Sequence, residues 1–289
     1  MIETIKNDLI SISVKSHGAE ICSFKSLEND KEYLWQGDPK YWGKHAPILF
    51  PFVGASKNGK YTYKGEEYRM SKHGFARDSE FELVEKSDGK LKYLLKSNED
   101  TMKKYPFIFE LYVIYEIKGK ILDITYKVNN KDSKEMYFSI GGHPAFNCDI
   151  REGDKYLEFE DKVNLETYMA DLKTGIIVDK KKKIIENQKE LLLKYDLFYD
   201  DALIFDSSNL DSIFIKDGKT EEKIKITIKG FPYLGIWTKH SPKSPYLCIE
   251  PWYGIPDLEK SKGKIEDKKG IEKLNIGETF SCSYKVEVI

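Results

Sequence analysis

Hydrophobic and polar residues alternate with a period of two along most of this chain. The clearest case is the segment 107–128, where apolar side chains occupy alternate positions on both sides of Lys118-Gly119-Lys120. Successive side chains of a strand point to opposite faces, so this pattern predicts a hairpin with one buried face. Similar patterns predict a hairpin at residues 61–70 and strands at residues 9–14, 19–27, 79–84, 136–140, 223–229 and 282–288.

Interruptions of the alternation predict edges and loops. Residues 46–54 are apolar but contain two prolines, which argues against a central strand because proline cannot donate to a sheet. The aromatic-rich residues 33–42 are interpreted as a loop that packs on the mouth of the fold. Helical periodicity is confined to single turns at residues 99–105 and 256–262. Many short strands without a repeat or linker predict an all-β fold, a large antiparallel β-sandwich forming one domain over residues 1–289.

Charge and cysteine content restrict the possible partners and compartment. The 289 residues include 47 basic and 48 acidic side chains, and this balance argues against a nucleic-acid or anionic-membrane partner. The lysine run at residues 180–183 is interpreted as a solvated loop or edge. Four dispersed cysteines, none in a C-x-x-C pair, predict buried and unreactive thiols. Without a secretory or membrane-spanning pattern, we expect a soluble cytoplasmic protein.

His143 is the first candidate for chemistry, within the stretch Gly141-Gly142-His143-Pro144. The two glycines allow a kink or a close approach to a ligand, and Pro144 disfavours a helical conformation at the histidine. These residues predict a histidine held rigidly at the end of a strand. The alternative is a structural histidine in a strand-terminating turn.

Glu250 is the second candidate, because it leaves the apolar run 246–249 and precedes Pro251 and Trp252. A carboxylate in such surroundings tends to have a raised pKa and to act as a base. The alternative is a buried glutamate satisfied by backbone donors or by an arginine such as Arg77.

Three further residues have two interpretations each. His73, in the stretch KHGFAR, is on its own best interpreted as an exposed loop histidine. Trp237 is a core aromatic or a platform for the apolar face of a sugar. Asp201 is a turn acid or a bidentate acceptor for two vicinal hydroxyls.

Several chemistries lack their sequence patterns. The chain contains no G-x-G-x-x-G or G-x-S-x-G motif, and no complete G-x-x-x-x-G-K-[ST] motif, because the G-x-x-x-x-G-K match at residues 54–60 is followed by Tyr61. Its candidate histidines do not form H-x-H or H-E-x-x-H pairs. We therefore predict neither a cofactor nor a metal.

A set of motifs in a fixed order is similar to that of the aldose 1-epimerases (galactose mutarotases), and within them to the LacX-related branch. The motifs are PILFPFVG (47–54), KHGFARD (72–78), GGHPAFN (141–147), DDALIF (200–205), LGIWT (234–238) and CIEPWYGIPD (248–257). The resemblance implies a single supersandwich domain of the galactose mutarotase type. It also implies an open cleft for a pyranose and cofactor-independent interconversion of its α and β anomers.

The resemblance also implies roles for individual residues. Glu250 matches the base that removes the proton from the anomeric O1 hydroxyl, and His143 matches the acid that protonates the ring oxygen. His73 matches a second histidine near those oxygens, Asp201 the acid that holds sugar hydroxyls, and Trp237 an aromatic under the ring. A carboxylate–imidazole pair supplies this acid–base chemistry without a metal.

Two positions leave the identity of the substrate undecided. Relatives commonly carry an arginine where this chain has Ala55; Lys57 is the candidate substitute, although lysine lacks the planar fork of arginine. Arg77 resembles an arginine that helps to hold phosphate in hexose-6-phosphate epimerases. A phosphate site normally recruits several cations, and only Arg69 and Lys72 are near it in sequence, so a free hexose is favoured. The remaining alternatives are a hexose-6-phosphate 1-epimerase and a non-catalytic carbohydrate-binding sandwich, as a monomer or homodimer.

Overall fold

The computed structural model describes residues 1–220 and 222–289. Within these residues there are 22 strands and one short α-helix, α1 (Glu99–Met102). The strands, in chain order, are β1 (Ile2–Lys6), β2 (Ile10–Lys15), β3 (Ile21–Ser26), β4 (Ile48–Leu49), β5 (Lys60–Tyr63), β6 (Glu66–Arg69), β7 (Glu82–Ser87), β8 (Lys90–Lys96), β9 (Phe109–Lys118), β10 (Ile121–Asn130), β11 (Met136–Phe138), β12 (Ile140–Gly142), β13 (Ala145–Asn147), β14 (Lys155–Ala170), β15 (Ile177–Leu192), β16 (Leu203–Asp206), β17 (Ser212–Asp217), β18 (Lys223–Thr227), β19 (Tyr233–Trp237), β20 (Tyr246–Tyr253), β21 (Glu272–Leu274) and β22 (Thr279–Val288). Short 3₁₀ turns lie at Lys57–Gly59, Ala76–Asp78, Ile150–Glu152, Tyr195–Phe198 and Ile265–Asp267.

Fifteen strands form one sheet, in which every ladder between these strands is antiparallel. Its order is β4-β12-β20-β19-β16-β14-β17-β18-β22-β10-β9-β8-β7, with β13 paired to β20 and β15 paired to β14. Smaller sheets are formed by β1-β2-β3, by β5-β6 and by β11-β21. The predicted all-β, antiparallel fold is confirmed.

The large sheet folds back on itself, so that strands distant in its order pack face to face. A Cβ atom added to Gly142 in β12 would lie 2.9 Å from the hydroxyl oxygens of both Tyr126 in β10 and Tyr284 in β22. One apolar cluster likewise contains Leu91 of β8 and Ile249 of β20. This cluster draws residues from almost the whole chain, which agrees with the predicted single domain, although the domain assignment itself stays a prediction.

The hairpin predicted at residues 107–128 is β9–β10, with Ile121 opposite Lys118. Its alternating apolar residues are buried, as the pattern predicts. Between the two prolines of residues 46–54 only Ile48–Leu49 pairs, at the end of the sheet, as predicted for a segment rich in proline. The alternation did not reveal several strands, among them β1, β8, β14, β15 and β17.

Other details of the prediction change in the structure. Residues 256–262 form no helical turn, because the N–H groups of Asp257 and Glu259 donate to Ala55 and Ile177 in other segments. Of the two interpretations of the lysine run at residues 180–183, the edge is the one found, because these lysines are exposed within the edge strand β15. All four cysteines are buried and unpaired, as predicted. Among the described residues, no helix has the length and apolarity needed to cross a membrane.

Candidate active site

Six of the seven predicted site residues line one cavity of about 200 Å³. The exception is Lys57. The cavity is lined by Trp42, Gly54, Lys72, His73, Arg77, His143, Ala170, Gly175, Asp201, Ala202, Ile204, Trp237, Glu250, Trp252 and Pro256.

His143 lies directly opposite Glu250 on neighbouring strands. In the ladders that flank it, Gly141 of β12 pairs with Trp252 and Ala145 of β13 pairs with Cys248, and the two ladders share one register. His143 Nε2 therefore approaches Glu250 Oε2 to 3.2 Å. Directly opposed side chains of antiparallel strands are held close together by the backbone. The strand pairing, more than the turn, sets the geometry of this pair.

Burial controls the ionisation of both groups. Only 1% of the Glu250 residue is exposed, and burial raises the pKa of its carboxyl well above the usual value. Burial lowers the pKa of His143 to about 3. Both directions favour a protonated Glu250 carboxyl beside a neutral His143 imidazole, so that the pair carries one proton and no net charge. Within the described part of the chain, Glu250 Oε2 and His143 Nδ1 have no well-aligned hydrogen-bond partner.

His73 is fixed by two hydrogen bonds to Gly54. The His73 N–H donates to the Gly54 carbonyl at 2.9 Å, and the Gly54 N–H donates to His73 Nδ1 at 3.1 Å. Burial, with His143 nearby, lowers the pKa of His73 well below its usual value. The neutral ring therefore accepts at Nδ1 and carries its proton on Nε2, which makes it a hydrogen-bond donor.

The interpretation of His73, taken alone, as an exposed histidine is wrong, because only 8% of the residue is exposed. Its loop is held against the residue that follows β4, since the N–H groups of Phe75 and Ala76 both donate to the Phe50 carbonyl. The backbone of His73 has φ +69°, a conformation that is uncommon without glycine and that often occurs at functional sites.

Two tryptophans form an aromatic wall around His143. The ring centroids of Trp42 and Trp237 lie 4.9 and 5.7 Å from that of His143. Sequence reasoning identified Trp237 but did not assign Trp42 to the site. The signal available for Trp42 was its place in the aromatic loop that was predicted to pack on the mouth of the fold.

A third tryptophan, Trp252 of β20, explains why the neighbouring strands β12 and β19 each have a glycine next to its ring. Cβ atoms on Gly141 and Gly235 would lie 2.5 and 2.6 Å from its indole ring, so neither position accommodates a side chain. The sequence interpretation that Gly141 and Gly142 allow close approach to a ligand therefore needs correction. Neither residue lines the cavity; both make room for buried aromatic side chains.

Asp201 and Lys72 lie at the polar side of the cavity. The Asp201 carboxylate is 3.9 Å from Lys72 Nζ, and the Asp201 backbone has φ +73°. A carboxylate in this position has two oxygens available to neighbouring hydroxyl groups. Asp201 thus offers its carboxylate oxygens at the polar side of the cavity and is not a member of the buried His143–Glu250 pair.

The cations nearest to the cavity are Lys72 and Arg77. Arg77 Nη2 donates to the Lys72 carbonyl at 2.9 Å and its Nε lies 3.5 Å from Asp78, so Arg77 does not satisfy Glu250. Lys57 does not enter the cavity, because its Nζ donates to the Glu259 carbonyl at 2.7 Å.

Lys72, rather than Lys57, approaches the space beside Ala55. A Cβ atom on Gly175 would lie 3.6 Å from Ala55 Cβ and 3.9 Å from Lys72 Nζ. The sequence analysis missed the proximity of Lys72 to Ala55 because it considered only cations that lie close to Ala55 along the chain.

The donor atoms of His143, Cys248 and Glu250 lie within 4.8 Å of one another. Burial raises the pKa of the Cys248 thiol well above its usual value, so the thiol is neutral in the metal-free protein. Cys248 packs in an apolar cluster with Trp35 and Tyr246. The expectation of a metal-free site stays a prediction.

Comparison with known proteins defines the class to which this fold and site belong. A family model described as Aldose 1-epimerase matches residues 1–257. The chain belongs to the aldose 1-epimerase family, whose members are isomerases, and the predicted resemblance is confirmed.

Individual relatives agree with this assignment. The chain is 32% identical over 296 residues to the plasmid and chromosomal LacX proteins of Lactococcus lactis subsp. lactis, covering 99% of this chain and 98% of theirs. A galactose mutarotase related enzyme from Lactobacillus acidophilus is 35% identical with a TM-score of 0.95, covering 100% of this chain and 97% of that one. A galactose mutarotase-like protein from Lactobacillus casei is 32% identical with a TM-score of 0.95, covering both chains fully.

Proposed function

We propose that this isomerase interconverts the α and β anomers of a free hexose without a cofactor, through proton exchange with Glu250 and His143. The observation that carries the proposal is the 3.2 Å contact between His143 Nε2 and Glu250 Oε2 inside a polar, tryptophan-walled cavity. The anomeric hydroxyl oxygen O1 and the ring oxygen O5 are both bonded to C1. Two groups this close can therefore each reach one of them.

In the proposed reaction, the Glu250 carboxylate removes the proton from the O1 hydroxyl while the His143 imidazolium protonates O5. The C1–O5 bond breaks, and C1 becomes the carbon of an open-chain aldehyde. Rotation about C1–C2 presents the other face of the aldehyde. Ring closure then reverses the roles: His143 takes the O5 proton, Glu250 returns a proton to O1, and no proton is gained or lost overall.

Burial supports this exchange. Ring opening converts carboxylate and imidazolium into carboxylic acid and imidazole, and the neutral form is the one that the shifted pKa values of Glu250 and His143 favour. The pair keeps one proton throughout, so the net charge of these two buried groups does not change.

The other residues are proposed to bind and orient the sugar. His73 donates from Nε2 to an oxygen near the reacting carbon, since its Nδ1 accepts from Gly54. Asp201 accepts from two hydroxyls, and Lys72 takes the cationic role that the sequence suggested for Lys57. Trp237 contacts the apolar face of the ring, a common function of aromatic side chains.

Polarimetry on freshly dissolved α-D-glucose and α-D-galactose tests the proposal. We expect the protein to accelerate the relaxation of optical rotation at pH values where spontaneous mutarotation is slow, and the acceleration to disappear in Glu250→Gln. No acceleration with either sugar would refute a free hexose of this kind as substrate.

The second candidate is a hexose-6-phosphate 1-epimerase, because Lys72 and Arg77 both line the cavity. It predicts a higher kcat/KM for glucose 6-phosphate than for glucose, and a selective loss of that preference in Arg77→Met. Sugar binding without turnover of either substrate would instead favour a carbohydrate-binding sandwich.

We further propose a cytoplasmic protein, monomeric or homodimeric, that binds neither nucleic acid nor membranes. Four free, buried cysteines and balanced charge support this. Sedimentation at several protein concentrations and fractionation of cells test the two parts separately.

A further inference from the structure

A second cavity, of about 450 Å³, lies beside the edge strand β15. We call it the basic cavity. Its lining contains four lysines and two acidic residues and shares no residue with the lining of the active-site cavity. It is lined by Tyr168, Ile177, Val178, Asp179, Lys180, Lys181, Leu258, Glu259, Lys260 and Lys269.

Two of these lysines converge on one aromatic ring. The Nζ atoms of Lys181 and Lys269 lie 4.4 and 4.6 Å from the ring centroid of Tyr168. Lys269 Nζ also donates to the Tyr168 hydroxyl at 2.9 Å. The ring stabilises each ammonium, but two like charges held around one side chain repel each other unless an anion lies near them.

The acidic residues of the basic cavity do not neutralise this charge. Asp179 pairs with Lys260, whose Nζ lies 3.0 Å from its carboxylate. Across residues 1–220 and 222–289, no carboxylate lies within ion-pair distance of Lys181 or Lys269. The cavity therefore offers two available ammonium groups beside a hydroxyl.

We propose that the basic cavity binds the phosphate group of a small phosphorylated molecule. Lysine ammonium groups bind phosphate as point charges. Here the ammonium groups of Lys181 and Lys269 both lie next to the Tyr168 ring, and the Tyr168 hydroxyl offers a further polar contact to the phosphate. Ile177 and Leu258 provide an apolar surface for the remainder of a phosphate ester. The site goes beyond the proposed epimerase function and does not depend on it.

Isothermal titration calorimetry with inorganic phosphate and with glucose 6-phosphate tests this site, whether or not the protein turns sugar over. We expect the double variant Lys181→Met/Lys269→Met to weaken phosphate binding about tenfold or more, because each charge-assisted contact contributes strongly. The matched control Lys118→Met/Lys183→Met removes the same charge from positions that do not line the basic cavity, and should bind like the wild type.

Lys72→Met separates this site from the active-site cavity. The proposal is supported if phosphate still binds to the Lys72→Met variant and to the wild type saturated with sugar, but no longer binds to the Lys181→Met/Lys269→Met variant. Tighter binding of the ester than of inorganic phosphate would identify a phosphorylated metabolite as the ligand, and equal binding would identify phosphate itself. No binding at millimolar phosphate, or binding retained by the Lys181/Lys269 variant with unchanged thermal stability, would overturn it.

Discussion

His143 stands directly across a sheet ladder from Glu250, with Pro144 interrupting the hydrogen bonding between the two paired segments on either side. The Pro144 carbonyl still accepts from the Ile249 N–H at 3.2 Å, so the interruption leaves the strands together. The imidazole and the carboxyl are thus positioned by neighbouring strands of one sheet. Rigid elements hold reacting groups more accurately than loops do, which suits the two proton transfers of the proposed reaction.

Removing either member of the pair should abolish most of the activity. We expect Glu250→Gln and His143→Asn each to lower kcat by on the order of 100-fold or more, because each loses one proton-transfer group. Polarimetry with both anomers measures the effect. Glu259→Gln, an exposed change of the same chemistry, is the control, and wild-type rates in both site variants would contradict the mechanism.

Asp201→Asn should act mainly on sugar binding. Asparagine tolerates the positive φ of this position, so the substitution removes the charge with little effect on the backbone. We expect KM to rise about tenfold, with kcat much less affected. Asp200→Asn is the control, since Asp200 pairs with Lys182 at 3.5 Å outside the cavity lining. An unchanged KM in Asp201→Asn, with a raised KM in Asp200→Asn, would show that Asp200 and not Asp201 binds the sugar hydroxyls.

Lys72 and Lys57 provide a test of which cation reaches the sugar. Lys72→Met should raise KM about tenfold or more, because a hydrogen bond from a charged group contributes about 1.5–3 kcal/mol. Lys57→Met should leave KM unchanged, since its ammonium contacts backbone carbonyls. Steady-state kinetics on both variants distinguishes them; the opposite ranking would restore the role suggested for Lys57 by sequence.

Gly235→Ala should disturb the support of Trp252. The added methyl would lie 2.6 Å from the indole ring, and overpacking of this kind costs about 1–3 kcal/mol of unfolding free energy. Urea denaturation measures the cost. Gly43→Ala is the control because a Cβ there meets no atom within 4 Å, and equal stability of the two variants would show that the strand adapts easily.

His73 should make the stability of the protein depend on pH below about 6.5. Burial lowers its pKa in the folded state, so the unfolded chain binds the proton first as pH falls. Stability from this residue is therefore present above pH 6.5 and lost below it, at up to about 1.4 kcal/mol per pH unit. Urea denaturation from pH 7.5 to 5 should give His73→Asn a shallower slope than the wild type. Identical slopes would mean that His73 is protonated in the folded protein.

Local alternation was sufficient to predict elements such as the hairpin at residues 107–128, because the side-chain period of a strand is a property of consecutive residues. It failed for β15, whose long exposed lysine-rich run pairs only with β14 and has little apolar contrast between its faces. Glycine and proline neighbours also marked His143 and Glu250 as unusual positions. They could not show whether Gly141 faced a ligand or, as the structure has it, the ring of Trp252.

The sequence by itself determined the class of fold, the family resemblance and six of the fifteen residues that line the cavity. Only the tertiary structure decided that His143 stands opposite Glu250, that His73 is buried with its proton on Nε2, and that Lys72 rather than Lys57 approaches Ala55. The physical reason is that strand order and register depend on packing between distant segments. Residue spacing along the chain carries no direct measure of that packing.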